Sequence, residues 1–275
     1  MNVFNAAVSG LFDLLLAPFR SLSPWIALAV VSLLTGFLML SIYRRASNQD
    51  GIRRVKNRIK AHLLELRLFK NDLGVSLRAQ GSILAANLKY IGYAFKPLLV
   101  MIVPVLLILI QLNDWFGSRP LRAGEQALVK VRLAEGYSPI ETDLRLEASA
   151  GLVVETPPLR IEEDREVDWR IRAESPGVRE LILRWADQSA AKKVVVEDGR
   201  LARVSTAKVR TNIWREISHP GEKSLPSDSP VTTFEVRYPE RRLGLFGIGV
   251  HWLVAYFVLS IILGFAFKGV FKVTL

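Results

Sequence analysis

Three histidines, no cysteine and a scatter of hydroxyls and acids are all that this 275-residue chain offers for covalent or metal chemistry. His62, His219 and His251 lie far apart, so no pair has the spacing of a metal site. The lack of cysteine removes disulfides, thiolate catalysis and Cys-ligated metals, without identifying a compartment. Ser218-His219 with Asp228 could be assembled into part of a hydrolytic triad, but residue types this common meet by chance. Glu162-Glu163-Asp164 reads as a solvated acidic run at the start of a strand, with weak Ca²⁺ binding a remote second. His251 beside Trp252 reads as an interfacial residue in preference to a proton relay. No nucleophile elbow, phosphate-binding glycine loop or Rossmann fingerprint occurs. The expectation is a protein that is not an enzyme, with no catalytic residue, metal or cofactor.

Two sets of side chains could act without covalent chemistry. The first is the few polar groups set in or beside apolar runs: Ser32, Thr35, Lys96, Gln111, Asn113 and Ser260, candidates to line a groove. The second is Arg53, Arg54, Lys56, Arg58 and Lys60 on the outward side of a helical pattern. That basic face suits anionic lipid, where each charge gains roughly 1 kcal/mol, or the phosphates of ribosomal RNA. It has little aromatic interleaving, so recognition of single strands by stacking is not expected, and neither is DNA.

These groups must be positioned by three apolar runs, near residues 25–43, 97–113 and 246–267, each close to the roughly 20 residues a helix needs to cross hydrocarbon. The charge of +11 is unevenly spread. Residues 44–96 hold twelve Lys/Arg and three acids, whereas residues 119–242 hold 22 basic and 21 acidic side chains. By the positive-inside rule the first loop is cytoplasmic, and the N-terminus and the long second loop lie outside. The tail with Lys268 and Lys272 returns to the inside; Arg241 and Arg242 point weakly the other way. Trp25, Trp115 and Trp252 fall at run ends on the outer face, as an interfacial belt would place them, with Tyr43, Tyr90, Tyr93 and Phe95 at the inner one. Arg44-Arg45 closes the first run as a stop-transfer flank, so it reads as an anchor in preference to a signal peptide. Ahead of it, Val3-Phe4, Ala7-Val8, Leu11-Phe12 and Leu15 recur at helical spacing: an interfacial helix, or an extension of the first span.

Between Gln49 and Asp72, Ile52, Val55, Ile59, Leu66, Phe69 and Leu73 follow heptad-like spacing with His62 at one seam position. Asn71-Asp72-Leu73-Gly74 is read as a turn, Gly74 taking a positive φ at the helix end. A second arm from Val75 to Tyr93 presents Leu77, Leu84, Leu88 and Ile91, weakened by Gln80 and Asn87, and runs without a linker into the second apolar run. Pro97 suits a first turn; Pro104 sits mid-run and predicts a kink.

Order and motifs together resemble the YidC/Oxa-type insertase superfamily, in layout closest to its small archaeal and endoplasmic-reticulum members. The resemblance is carried by Leu16-Ala17-Pro18-Phe19 and Ser23-Pro24, Tyr43-Arg44-Arg45, Asn48-Gln49-Asp50 opening the basic hairpin, and Phe95-Lys96-Pro97 with Pro104. It covers roughly residues 1–116, with the third run added by position. It implies a three-helix groove that helps client proteins enter the membrane. Two departures stand out: the bacterial members use an intramembrane arginine, and no Lys or Arg lies inside a run here; nor do the compact relatives carry the large second loop.

That loop switches to period two. Val129, Val131 and Leu133 alternate with polar residues, as do Val167, Trp169 and Ile171; Leu181, Leu183 and Trp185; and Phe234, Val236 and Tyr238. Turns at Gly136, Pro157-Pro158, Ser175-Pro176-Gly177 and Asp198-Gly199 separate the runs. Half a dozen or more short strands in about 120 residues predict an immunoglobulin-like β-sandwich with Trp169 in its core. A short amphipathic helix is expected over residues 207–218, and the aromatics are read mainly as core.

The expected fold class is therefore an α-helical membrane protein with three transmembrane helices and a cytoplasmic helical hairpin, carrying an external all-β domain between the second and third spans. Its segments are an N-terminal interfacial stretch (1–22), the first span (23–45), the basic hairpin (46–94), the second span (95–116), the β domain (117–242), and the third span with its tail (243–275). The functional expectation is an insertase-like or chaperone-like protein of the cytoplasmic membrane. Its expected partners are the bilayer, ribosomes with nascent membrane proteins, and an external or membrane protein. The alternative is a membrane-anchored adaptor whose sandwich binds a partner in an envelope complex. A channel or transporter subunit has only Pro104 and the glycines Gly247, Gly249 and Gly264 behind it.

Overall fold

The computed structural model describes residues 3–245, 247–267 and 269. Helices fill the N-terminal half and β-sheets most of the C-terminal half, in two compact units. One contains residues 28–107 and 255–275, the other residues 1–27 and 108–254.

The first unit is helical. Helix α2 (Pro24–Ala46) contributes most of its length, followed by α3 (Gln49–Leu68) and most of α4 (Leu73–Leu112). The unit is completed by all but the first turn of α6 (Trp252–Phe267). Asn48 caps α3, its Oδ1 accepting from Gly51 N at 2.8 Å, with Asp50 in the first turn and Arg67 in the last to suit the helix dipole. The arms reverse at residues 69–72, but not on glycine. Gly74 lies within α4, and Asp72 Oδ1 caps that helix by accepting from Val75 N at 3.0 Å. The second arm and the second apolar run are one helix of 40 residues, with Pro97 and Pro104 inside it.

The seam differs from the heptad reading. Ile52 and Val55 of α3 are buried, but on the hairpin arm of α4 the buried residues are Ala79 and Ala86. Phe69, Leu73, Leu77, Leu84, Leu88 and Ile91 are exposed, Leu73 by 78%. Small side chains let the arms approach, and the leucines, which would hold them apart, turn outward.

Helices α2 and α6 cross where both carry glycine: a Cβ on Gly36 would meet Gly264 N at 3.7 Å and Ser260 O at 3.8 Å. Phe37 and Phe267 pack edge to face with centroids 5.1 Å apart. Among the described residues two helical stretches, Pro24–Ala46 and Leu73–Gly117, are long and apolar enough to cross a membrane. The third apolar run is shorter than its sequence suggests. Its start is taken by a hairpin of β10 (Arg242–Leu245) and β11 (Ile248–His251), leaving 16 described residues to α6. Gly247 at φ +83° and the β-branched Ile248 and Val250 explain this local choice. Phe246, Lys268 and Lys272 lie outside the described residues.

The second unit gathers α1 (Val3–Leu16) with the β domain. Its larger sheet runs β3 (Leu152–Val154), β5 (Glu166–Ala173), β1 (Gln126–Leu133), β9 (Val231–Arg237), β8 (Ala207–Val209), with β4 (Leu159–Ile161) also on β5. The smaller is β2 (Leu144–Ala148), β6 (Gly177–Trp185), β7 (Gln188–Val196). Val129 stands opposite Trp169 and Val236, and Val131 opposite Val167 and Phe234. These join Leu181, Leu183, Trp185 and Val194 of the smaller sheet in one core. Tyr238 Oη accepts from Val195 N at 3.2 Å. The helix expected over 207–218 is two elements: β8, whose strand pairing with β9 outweighs helical spacing, and the six-residue α5 (Ile213–Ser218).

Two acids brace the larger sheet. Burial would raise Glu166, but the hydrogen bonds from Lys130 (2.8 Å) and Arg132 outweigh it and hold the carboxyl below the usual range. The hydrogen bonds from Arg119, at 2.7 and 2.8 Å, do the same for Glu125. A depressed carboxylate stabilises the fold above its unfolded pKa of about 4.3, and that stabilisation is lost as pH falls through the lower folded value. Circular dichroism melts should therefore fall below about pH 4, with a shallower fall in Glu166→Gln; between pH 7 and 5 burial of Asp114, which pushes its carboxyl up to about 6, adds a small opposite change.

Candidate functional site

Two places in the molecule collect polar side chains that the surrounding sequence would not bury without cause. The first, in the helical unit, is a cleft of about 280 Å³ walled by α2, α4 and α6, including Thr35, Met39, Met101, Tyr256 and Ser260. Its surface is almost wholly apolar. Among the described residues Tyr256 Oη and Ser260 Oγ are buried without a well-formed hydrogen bond, the Thr35 and Ser260 hydroxyls interacting only weakly with the tyrosine, and Ser32 Oγ donates to Tyr256 O at 3.5 Å. Serine and threonine on α2 and serine on α6 thus gather round one tyrosine, which the sequence reading had not singled out.

Of the six groove candidates, Thr35 and Ser260 line this cleft and Ser32 lies against its tyrosine. The other three go elsewhere. Lys96 and Asn113 are exposed, and Gln111 belongs to the second unit. Arg53, Arg54, Arg58 and Lys60 are exposed on α3, and Lys56 Nζ lies 5.6 Å from the Tyr90 ring centroid. Arg54, Arg58 and His62 face Ser82, Ala86 and Lys89 across a wide basic cleft between the hairpin arms.

The second place is a buried ionic network in the β unit. Helix α4 gives way to a π-helical turn, Asn113–Gly117, which carries Asp114 inward. Arg203, from the segment after β7, donates to Asp114 Oδ2 from Nη2 (3.1 Å) and Nε (3.3 Å), to Asp13 from Nη1 (3.3 Å) and to Ser9 Oγ from Nη2 (3.0 Å). Gln111 Nε2 donates to the same Ser9 Oγ at 3.3 Å. Val204 N donates to Asp114 O at 2.7 Å, and Leu201 N to Arg20 O at 3.1 Å. Alongside lies Lys192 of β7, wholly buried, whose Nζ donates to Ser205 O and Glu222 Oε1, both at 3.0 Å. Burial pulls the Lys192 ammonium below the value of a free lysine, and Glu222 draws it partly back. Gly221 closes the network: a Cβ there would stand 2.6 Å from Ser205 Cβ and 3.0 Å from Asp114 Oδ2.

Sequence reading passed over this network. Lys192 was legible, since Ala190, Lys192, Val194 and Val196 share one strand face and a lysine there must find a buried partner. Arg203, Asp13 and Asp114 carry no such signal, being single charges in segments far apart in sequence.

Nothing gathers around the histidines. His62 Nδ1 pairs with Glu65 at 2.9 Å, and His251 Nδ1 caps α6 by accepting from Leu253 N at 3.2 Å. Ser218 Oγ lies 3.0 Å from His219 Nδ1, while Asp228 stands exposed. Glu162, Glu163 and Asp164 occupy an exposed turn, and among the described residues no group of His, Cys, Asp or Glu could hold a metal ion. The tryptophan belt is also revised. Trp115 is fully enclosed, with the Arg20 guanidinium 5.4 Å from its ring centroid, and Trp252 is buried. Packing, not lipid, surrounds both. Trp25 is half-buried, its Nε1 donating to Gly244 O at 2.8 Å.

No family model and no curated protein matches the chain. Among solved structures it is similar to domains 4 and 5 of the S-layer protein SbsC, at 13% identity over 29% of this chain and 47% of that one, with a TM-score of 0.24. A likeness that slight carries no argument about fold or function.

The ionic network yields a direct prediction. Replacing Arg203 with leucine leaves the buried Asp114 carboxylate without its cation, at a cost of about 3–5 kcal/mol. Thermal or denaturant unfolding of the purified protein should register that loss. Arg203→Lys should recover only part of it, because an ammonium cannot fork between two carboxylates and a hydroxyl.

Proposed function

We propose that the chain is a three-span protein of the cytoplasmic membrane that helps other membrane proteins insert or fold, as its resemblance to YidC/Oxa-type insertases implies. In this reading α2, α4 and α6 cross the bilayer, the basic hairpin is cytoplasmic and the β domain, an immunoglobulin-like sandwich, lies outside. The net charge of +9 between Arg44 and Lys96 supports that orientation.

The observation that carries the proposal is the apolar cleft with the poorly satisfied hydroxyls of Tyr256 and Ser260. An unsatisfied polar group in hydrocarbon costs several kcal/mol. A client segment that brings its own backbone or terminal polar groups offers these hydroxyls partners and gains partners in return. The cleft needs no charge to do this, which fits the lack of an intramembrane arginine. The described part of helix α6, 16 residues, covers about 24 Å of the roughly 30 Å of hydrocarbon. The hairpin would hold the ribosome or the client near the cleft through its exposed arginines.

A membrane-anchored adaptor is the second reading. It is favoured by Gln111, which is bound to Ser9 beside the β domain instead of opening into the cleft.

A photo-crosslinking residue placed at Met39 or Ser260, in cells holding stalled ribosomes with a membrane-protein nascent chain, separates the two. Insertion predicts nascent-chain adducts that fall several-fold when Arg53, Arg54, Lys56 and Arg58 are replaced by alanine. Adducts only with lipid or one stable neighbour, unchanged by those substitutions, would refute insertion and favour the adaptor.

A further inference from the structure

The polarity of α1 is the reverse of what a helix packed on a water-soluble domain requires. Its buried side carries Asn5 and Ser9, each 4% exposed, beside Phe12 and Leu16. Its outward side carries Phe4, Leu11 and Leu14, the last 75% exposed. The inward polar groups are all engaged. Asn5 Nδ2 donates to Glu216 O at 2.7 Å, Ser9 accepts from Arg203 and Gln111, and Asp13 pairs with Arg203. Turning the helix to hide its leucines would break these bonds, so the apolar side is fixed outward.

Two further observations say what it faces. The Asn5 bond ends on α5, and α5 holds Trp214, 80% exposed and set at the start of the helix by Asn212 Oδ1 accepting from its backbone N at 3.1 Å. Tryptophan is the side chain most at home where acyl chains meet headgroups. The level is given by Gln111, which bonds Ser9 one residue before α4 and its apolar run end. A bilayer crossed by α4 ends close to that height, where a helix with one apolar side and no free charge lies in the interface plane.

We propose that the outward side of α1 and Trp214 form one lipid-docking face that seats the β domain on the outer surface of the bilayer. This rests on α4 being a membrane span. Through the Arg203 network the face is rigidly joined to the β domain, so the domain is held against the membrane and does not swing on a tether.

Because the chain has no cysteine, single cysteines can be introduced and spin-labelled without background. Leu11→Cys, Leu14→Cys and Trp214→Cys alter exposed positions; Lys193→Cys, exposed on β7, and Val103→Cys, exposed at mid-α4, serve as references. The full chain in nanodiscs of phosphatidylethanolamine and phosphatidylglycerol is measured by power saturation with oxygen and with a water-soluble nickel chelate. Docking predicts that labels at 11, 14 and 214 collide with oxygen and are shielded from nickel, as at 103, while 193 shows the reverse. Nickel access at 11, 14 and 214 with 103 still shielded overturns the docking face and leaves the span intact. Nickel access at 103 as well overturns the span reading and the docking with it. Shielding of 11, 14 and 214 from both reagents means that protein, a second copy or another chain, covers the face, and overturns lipid as its occupant.

Discussion

A buried guanidinium must be fully paired, and in this protein that requirement draws together segments that nothing else in the sequence joins. Arg203 reaches α1 through Ser9 and Asp13 and the turn after α4 through Asp114, with Val204 fixing the same aspartate by its backbone. Removing the Asp114 carboxylate leaves the largely buried guanidinium with only the more exposed Asp13 to balance it. The π-helical turn at Asn113–Gly117 and the glycine at 221 are local consequences: one carries Asp114 inward, the other makes room for its carboxylate. Lys192 and Glu222 extend the network into β7, tying it to the core that both sheets share.

The helical unit follows a different logic. Its crossings depend on small residues: Gly36 against Gly264, and Ala79 and Ala86 along the hairpin. Close backbones give dispersion contact without large side chains between them. The leucines are left on the outside, both on α4 and on the hairpin arm that precedes its apolar run. Between α2, α4 and α6 the packing stops short of closure, and the cleft with its two poorly satisfied hydroxyls results. A cleft of this kind is weakly stabilised by design of its lining, since Tyr256 and Ser260 would each gain from a partner.

The two units give the proposed insertase and the proposed docking face distinct physical bases. The cleft works through weak hydrogen bonds, the docking face through misplaced leucines, and the basic hairpin through charge. The poorly satisfied hydroxyls and the outward leucines depart from local consistency, and such departures are where functional surfaces are found.

Much of this was legible beforehand. Period-two alternation located the β strands and put Trp169, Val131 and Phe234 inside, because one-sided burial imposes that period whatever the topology. Apolar runs and the basic loop between them located α2, α3 and α4, since helix length and charge are local properties. Local pattern failed where several partners compete for one segment. Leu77 and Leu84 have the spacing of a seam, but the seam belongs to whichever face lets the backbones approach, and alanine won. Residues 248–251 are apolar enough to extend α6, yet pairing with 242–245 made them a strand. Gln111 and Asp114 sit in consecutive turns at the end of an apolar run, and their role depends on Ser9, Asp13 and Arg203, which lie about a hundred residues away on either side. The sequence by itself determined which elements form and how charge is distributed along them. Only the tertiary structure decided which polar groups are buried together, because an ion pair is specified by distance in space and leaves no period in the chain.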